Sequence, residues 1–159
     1  MNANCFRTVL CFFFVIPAFL SAQTAERLDA LLDSAGVSYA EAAMIVLPAA
    51  GLSGEDVSPE TAFAEARARG LLPKTVEPGG AVRLGGLAFL IMGAFDMKGG
   101  LFYTLFPGPR YAYRELVHRK FIQGRNDPAL TVSGERLLRI LGRVLDRHDP
   151  DRSGSRRYL

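Results

Sequence analysis

Four arginines near the end of the chain recur at a spacing that could bind an anion. They are Arg136, Arg139, Arg143 and Arg147, spaced three, four and four residues apart. This spacing places them on one face of a predicted helix, and Arg110, Arg114 and His118 form a similar stripe earlier in the chain. Planar guanidinium groups match carboxylates and phosphates, so either face could hold an anionic polymer or lipid head groups. The alternative is a solvated face that keeps the protein soluble.

A second candidate surface is the aromatic segment 99–111, GGLFYTLFPGPRY. Glycines and prolines interrupt it too often for a long helix, which favours a hydrophobic loop or a short strand near 101–106. Phe102, Tyr103 and Phe106 could stack on sugar rings or anchor a partner protein. We favour the alternative interpretation, in which these side chains cap the core.

Patterns that would indicate catalysis do not occur in the sequence. The two histidines, His118 and His148, lack metal-ligand spacing, and there is no HExxH, GxSxG or phosphate-binding glycine loop. Residues 149–154 resemble the start of a calcium loop, but the required twelfth position would fall beyond Leu159. We therefore predict a protein that is not an enzyme and uses no cofactor or metal, with a disordered basic tail at 148–159.

The N-terminus has the layout of a secretory signal peptide. Arg7 precedes a continuous apolar run at 8–20, which is followed by small residues up to Ala22. A run of thirteen residues is too short to cross a bilayer core about 30 Å thick. We predict cleavage after Ala22, so that 1–22 is a signal peptide and the protein is exported to the periplasm or cell surface. A retained N-terminal anchor is the alternative.

Composition limits the remaining function classes. The chain has 159 residues, of which 49% are apolar and 22% charged, as in an ordinary globular domain. A net charge of +3 is too small to predict a nucleic-acid partner. No segment after residue 22 is long and apolar enough to span a membrane. These features predict one domain at 23–147.

The chain repeats itself at an interval of fifty residues. Residues 59–72, PETAFAEARARGLL, return as 109–122, PRYAYRELVHRKFI, with Pro, Ala, Glu and Arg at matching places. Each copy predicts a helix that ends in a turn, where Gly70 or Gly124 can adopt the left-handed conformation.

A second set of helices is predicted at 37–51, 82–95 and 131–145. Aligned on Ala40, Gly85 and Gly134, these segments recur 45 and then 49 residues apart. The first begins with a Ser-x-x-Glu capping box at 38–41, whereas the second has no good cap.

Together the two sets predict an all-α fold of three helix–loop–helix units, at about 24–51, 59–95 and 109–145. The first helix of unit one is predicted at 25–33. A single unit cannot bury enough apolar surface to fold alone, but three packed together can.

These units resemble S-layer homology (SLH) domains. A unit of that family has a first helix opening with aromatic and Ala residues, a glycine turn, and a second helix preceded by a motif similar to Val-Thr-Arg-Ala-Glu. Residues 59–95 and 110–145 each resemble a whole unit, and VSYAEAA at 37–43 resembles the motif. The resemblance covers roughly residues 25–145. It implies a three-helix bundle with appended helices that binds cell-wall polysaccharide or a peptidoglycan-linked polymer.

The resemblance also bears on the binding residues. The motif arginine aligns with Tyr39, Leu84 and Ser133, while Arg83 lies one place away. The chain has no Trp, so Tyr111 and Tyr113 are the nearest equivalents of the aromatic that opens the first helix. The predicted ligand-binding residues are Arg83, Arg110, Tyr111, Arg114, Arg139 and Arg143.

The function predicted from these patterns is a non-catalytic cell-envelope module whose partner is cell-wall polymer. Because no arginine holds the motif position, the alternative is a periplasmic or surface module that keeps the SLH-like scaffold and binds an envelope protein instead.

Overall fold

The computed structural model describes residues 31–54, 56–125 and 127–148, and this part of the chain is helical. The helices are α1 (Tyr39–Ala49), α2 (Pro59–Ala68), α3 (Leu84–Ala94), α4 (Leu101–Leu105), α5 (Pro109–His118) and α6 (Gly134–His148). The described residues contain two isolated β-bridges but no strand, so the predicted all-α class is confirmed. The predicted signal peptide at 1–22, most of the predicted helix 25–33 and the predicted tail beyond His148 lie outside this part of the chain.

Three helices have a serine at the N-cap position, and in each the serine side chain caps the start of the helix. Ser38 Oγ accepts from the Glu41 backbone N–H at 3.2 Å, and Glu41 Oε2 accepts from the Ser38 N–H at 2.7 Å, which confirms the predicted capping box. Ser58 caps α2 in front of Pro59, and the Ser133 hydroxyl accepts from the backbone of α6. Each cap satisfies N–H groups that have no partner within the helix.

Helix α3 begins without a side-chain cap, because Arg83 occupies its N-cap position. Its first N–H groups bind a distant segment instead. Leu84 N–H donates to the Leu130 carbonyl at 2.9 Å, and Gly85 N–H donates to the Pro128 carbonyl at 3.0 Å. Tertiary backbone contacts therefore replace the cap that the sequence lacks.

A ring of three backbone hydrogen bonds joins the segments that precede α1, α3 and α6. Val37 N–H donates to the Val132 carbonyl at 2.9 Å, Val132 N–H to Val82 at 3.0 Å, and Val82 N–H to Val37 at 2.8 Å. All three valines are fully buried. This valine ring links parts of the chain that are distant in sequence and satisfies their buried backbone groups, which would otherwise be costly.

The valine ring corrects the predicted alignment of the second helices. Counting from the ring, the counterpart of Tyr39 and Leu84 is Gly134, so the segments recur 45 and 50 residues apart rather than 45 and 49. The N–H groups of these three residues all donate to neighbouring segments, at 3.0, 2.9 and 3.2 Å. The residue of the third segment that corresponds to Tyr39 and Leu84 is therefore Gly134, whereas the sequence alignment had predicted Ser133.

Helix pairing crosses the boundaries of the predicted units. Helix α1 packs along α2, and α3 packs along α5, while α1 also contacts α3 and α6. The second helix of each of the first two units thus lies against the first helix of the unit that follows. The hydrophobic core runs between these pairs, and a fully buried Leu or Ile within it stabilises the fold by about 1.5–3 kcal/mol.

Residues at matching positions of the fifty-residue repeat are buried in both copies. The matched pairs Ala62/Ala112, Phe63/Tyr113, Ala66/Leu116, Leu71/Phe121 and Leu72/Ile122 are all buried. Matched ion pairs join Glu65 to Arg69 at 2.6 Å and Glu115 to Arg119 at 2.8 Å. The repeated sequence therefore indicates that α2 and α5 have matching buried faces and matching ion pairs.

The turns that end α2 and α5 are equivalent, but only one contains glycine. Gly70 has φ 71° and Lys120 has φ 62°. The following N–H groups, of Leu71 and Phe121, both donate back to the preceding helix at 2.9 Å. The prediction for Gly70 is confirmed. The prediction that Gly124 closes the second turn was wrong: Gly124 does have φ 83°, but it lies later, in the loop.

The aromatic segment also differs from its prediction. Residues 101–106 were expected to form a loop or strand that caps the core, and instead Leu101–Leu105 is the short helix α4. Phe102 and Phe106 are 64% and 63% exposed. Periodicity identifies apolar residues but not how deeply they are buried: Phe102 stacks on Tyr111, and both phenylalanine rings nevertheless stay largely exposed.

Candidate functional site

A groove of about 900 Å³ lies where the starts of α1, α3 and α5 meet the loops at 73–81 and 128–129. The side chains that give it chemical character are Tyr39, Glu77, Arg83 and Arg110. Tyr39 and Arg110 lie in α1 and α5, Arg83 is the N-cap residue of α3, and Glu77 lies in a loop. The backbone hydrogen bonds that hold these helices and loops together therefore also determine the shape of the groove.

Tyr39 forms one wall of the groove. Its backbone N–H donates to the Gly80 carbonyl at 3.0 Å, and Ala40 N–H donates to the Pro78 carbonyl at 3.0 Å, which clamps the loop onto α1. The phenol lies over Gly86, where an added Cβ would be only 2.2 Å from the Tyr39 hydroxyl. Glycine at position 86 is therefore required for the ring to lie where it does.

The phenol of Tyr39 stays protonated over a wide pH range. Burial raises the pKa of Tyr39, and the backbone N–H and positive charge of Arg83 offset this only in part. The side chain is therefore a neutral phenol near the Arg83 guanidinium group.

Arg83 and Arg110 place two positive charges along the groove. Both residues are exposed, and the ion pairs formed among the described residues use other arginines, namely Arg69, Arg119 and Arg139. Glu77 is the carboxylate among the lining side chains. Two guanidinium groups that have no carboxylate partner within the described ranges are suited to bind carboxylate or phosphate oxygens in bidentate fashion.

The other residues predicted to bind ligand lie outside this groove. Tyr111 stacks on Phe102, with ring centroids 6.1 Å apart and planes 10° apart. Arg114 is exposed on α5. Arg139 forms an exposed ion pair with Glu135 on α6. The structure thus brings Arg83 and Arg110 together and separates them from Tyr111, Arg114, Arg139 and Arg143.

Most of the arginine stripe on α6 binds the protein itself. Arg143 donates to the Phe121 carbonyl at 3.0 Å, and Arg147 donates to the Arg119 carbonyl at 2.9 Å while its guanidinium lies 5.0 Å from the Phe121 ring. Arg136 donates to the Arg125 carbonyl at 2.6 Å. These contacts hold the segment 119–125 against α6, so their first role is structural.

Sequence reasoning missed Tyr39, Glu77 and the Gly85–Gly86 pair as parts of the groove. One signal was present: paired glycines at the start of a helix weaken it and indicate close approach by another group. Which group approaches could not be read from the sequence, since Tyr39 lies more than forty residues earlier.

The aromatic segment divides into a buried and an exposed part. Tyr103 is half-buried, and a Cβ added at Gly99 would lie 2.5 Å from its ring. Burial raises the pKa of Tyr103. Phe102 and Phe106 remain largely exposed, although Phe102 stacks on Tyr111.

Within residues 31–54, 56–125 and 127–148, no three His, Cys, Asp or Glu residues are grouped so that they could hold a metal ion. None of the helices in the described ranges has the length and apolar character needed to cross a bilayer. No protein-family model, curated protein or solved structure matches the chain.

Proposed function

We propose that the chain is an exported, non-catalytic module of the cell envelope that binds cell-wall polysaccharide or a peptidoglycan-linked polymer. Binding occurs in the groove between Tyr39, Arg83 and Arg110. The observation that carries this proposal is the pair of arginines without carboxylate partners in the described part of the chain, set beside an aromatic ring in one groove. The groove volume of about 900 Å³ is within the range of pockets that bind small ligands, roughly 300–1,000 Å³.

An SLH-like arrangement of three units is part of the same proposal. Three features support it: the valine ring, the equivalent burial fifty residues apart, and the packing of each second helix on the next first helix. In this arrangement the groove lies between consecutive units, so that neighbouring units supply its two arginines.

The chemistry of the groove fits an acidic carbohydrate. Arg83 and Arg110 supply donors for carboxylate or phosphate groups. Tyr39 forms a largely buried wall with 6% of its surface accessible, and Glu77 can accept hydrogen bonds from sugar hydroxyls. Gly86 leaves room for the Tyr39 ring, which lies against it and so takes its place in the groove wall.

Co-sedimentation with purified cell wall tests the proposal. We expect Arg110→Glu to abolish pelleting, because it places a negative charge in the groove. Arg139→Glu makes the same change in net charge on α6, outside the groove, and is the matched control. Thermal unfolding of both variants checks that they remain folded. Equal pelleting of wild type, Arg110→Glu and Arg139→Glu would refute binding in the groove, and release of wall fragments by the protein would refute a non-catalytic role.

One observation favours the alternative of an envelope protein as partner. The positions that hold the motif arginine in SLH domains are Tyr39, Leu84 and Gly134 here, all buried, so they offer no charge to a polymer. If the wild type does not co-sediment with wall material but binds one envelope protein, the protein-binding alternative replaces polymer binding.

A further inference from the structure

Four large apolar side chains on and beside α4 are exposed together. They are Leu101, Phe102, Leu105 and Phe106, with 70%, 64%, 59% and 63% of their surface accessible. Their spacing places Leu105 and Phe106 one helical turn after Leu101 and Phe102. We call this set the apolar knob. Contiguous apolar surface of this kind commonly marks an interaction site.

The knob is held in place rather than loosely attached. The Gly100 backbone N–H donates to Glu115 Oε2 on α5 at 3.1 Å. The ring of Phe102 stacks on Tyr111, and Tyr103 turns inward against Gly99. With Tyr103 as its anchor, α4 presents the other apolar side chains outward.

The chain segment that carries the knob, between the flanking residues Asp96 and Glu115, contains only basic charged residues. The same stretch contains Lys98 and Arg114, both exposed, as well as Arg110 at the groove. An apolar centre with basic neighbours is complementary to a surface that is apolar inside and anionic at its edge.

A little over half of a standard protein interface is apolar, so the apolar area of the knob does not by itself select the partner; the basic residues beside it do. Taking about 200 Å² for each large side chain, the exposed fractions give roughly 500 Å² of apolar surface. A stable protein interface buries about 800 Å² on each partner. A bilayer requires no such matched area, because a few apolar side chains can enter the boundary between head groups and acyl chains.

We propose that the apolar knob inserts into the surface of a bilayer containing anionic lipid, with Lys98 and Arg114 contacting the lipid phosphates. The five residues of α4 enter one leaflet only. Aromatic and leucine side chains supply the apolar contact, and the basic residues supply attraction that weakens with salt.

A tryptophan introduced in the knob provides a specific reporter, because the chain has no Trp. The full chain carrying Phe102→Trp is mixed with vesicles of phosphatidylcholine with or without phosphatidylglycerol. We expect the emission to shift to shorter wavelength and brominated lipid to quench it, with the anionic vesicles only. Leu32→Trp, at a residue that is 42% exposed elsewhere in the fold, is the matched control and should show neither effect. Because the readout is local, binding through another part of the chain does not mimic it.

Two double variants separate the contribution of the basic residues from that of the apolar side chains. In the Phe102→Trp chain, Lys98→Glu with Arg114→Glu should remove the preference for phosphatidylglycerol. Without the reporter, Phe102→Ser with Phe106→Ser should weaken vesicle binding about a hundredfold, whereas Leu32→Ser should not.

The proposal is overturned if anionic vesicles leave the tryptophan emission of the Phe102→Trp chain unchanged. It is also overturned if light scattering shows a dimer that Phe102→Ser with Phe106→Ser converts to a monomer, since the knob would then be a contact between two copies. Wall pelleting is measured on different variants, so loss of one activity does not imply loss of the other.

Discussion

Replacing Gly134 by alanine tests whether residues 31–34 close against α6. A Cβ at position 134 would lie 1.7 Å from the Leu31 carbonyl oxygen and 2.6 Å from its carbonyl carbon. These are backbone atoms, so no side chain can rotate out of the way. The Gly134 N–H also donates to the Ser34 carbonyl at 3.2 Å. An alanine must push the two segments apart by about 1.5 Å to reach ordinary contact distance and weaken that hydrogen bond.

The expected destabilisation follows from three contributions. Overpacking costs about 1–3 kcal/mol, and the weakened hydrogen bond costs about 0.5–1.5 kcal/mol. Alanine recovers up to about 1 kcal/mol of helix propensity. We therefore expect Gly134→Ala to lower the free energy of unfolding by about 2–3 kcal/mol, which corresponds to a fall in melting temperature of roughly 5–15 °C.

Urea unfolding followed by circular dichroism measures this difference. The control is Gly142→Ala in the same helix, where an added Cβ has no atom within 4 Å and should be neutral or stabilise by up to about 1 kcal/mol. If Gly134→Ala is as stable as Gly142→Ala, the backbone contact between Leu31 and α6 does not exist, and the closure of the fold inferred from it is wrong.

Two further predictions concern α5 and its turn. Burial raises the pKa of Glu115, but hydrogen bonds from Arg119 and the Gly100 N–H outweigh it and leave the pKa below its ordinary value. Its stabilising effect is therefore complete above the unfolded-state pKa of about 4.3 and is lost as pH falls through the lower folded-state pKa. Glu115→Gln should lower the free energy of unfolding by about 1–2 kcal/mol at pH 7, and urea unfolding should show a smaller difference at pH 3; an equal difference at both pH values would refute this. At the turns, calorimetry should show Lys120→Gly stabilising by about 0.5–1 kcal/mol and Gly70→Ala destabilising by about 1 kcal/mol, because both positions have positive φ; opposite signs would contradict the equivalence of the two turns.

Local patterns in the sequence were sufficient to predict every described helix except α4, and the capped start of α1. The capping box at Ser38 and Glu41 depends on residues three apart, so it could be recognised without knowing the fold. The fifty-residue repeat similarly identified α2 and α5, because equivalent environments select equivalent residues. The left-handed turn at Gly70 was predictable because glycine adopts that conformation readily, whereas Lys120 gave no such signal.

The candidate site depended on contacts between distant parts of the chain. Arg83 and Arg110 were both predicted from sequence, but their shared groove and the part played by Tyr39 required the fold. The spacing of Arg143 and Arg147 indicated one helix face correctly. It could not show that these side chains would reach the carbonyls of the turn after α5.

The sequence by itself thus determined the helical class, the repeat and the caps, because these depend on a few neighbouring residues and on periodicity. Only the tertiary structure decided the valine ring, the groove and the exposure of the apolar knob. The physical reason is that a side chain's burial and hydrogen-bond partners depend on which distant segments pack against it. Two apolar stretches can therefore end in different environments, as the buried α3 and the largely exposed α4 demonstrate.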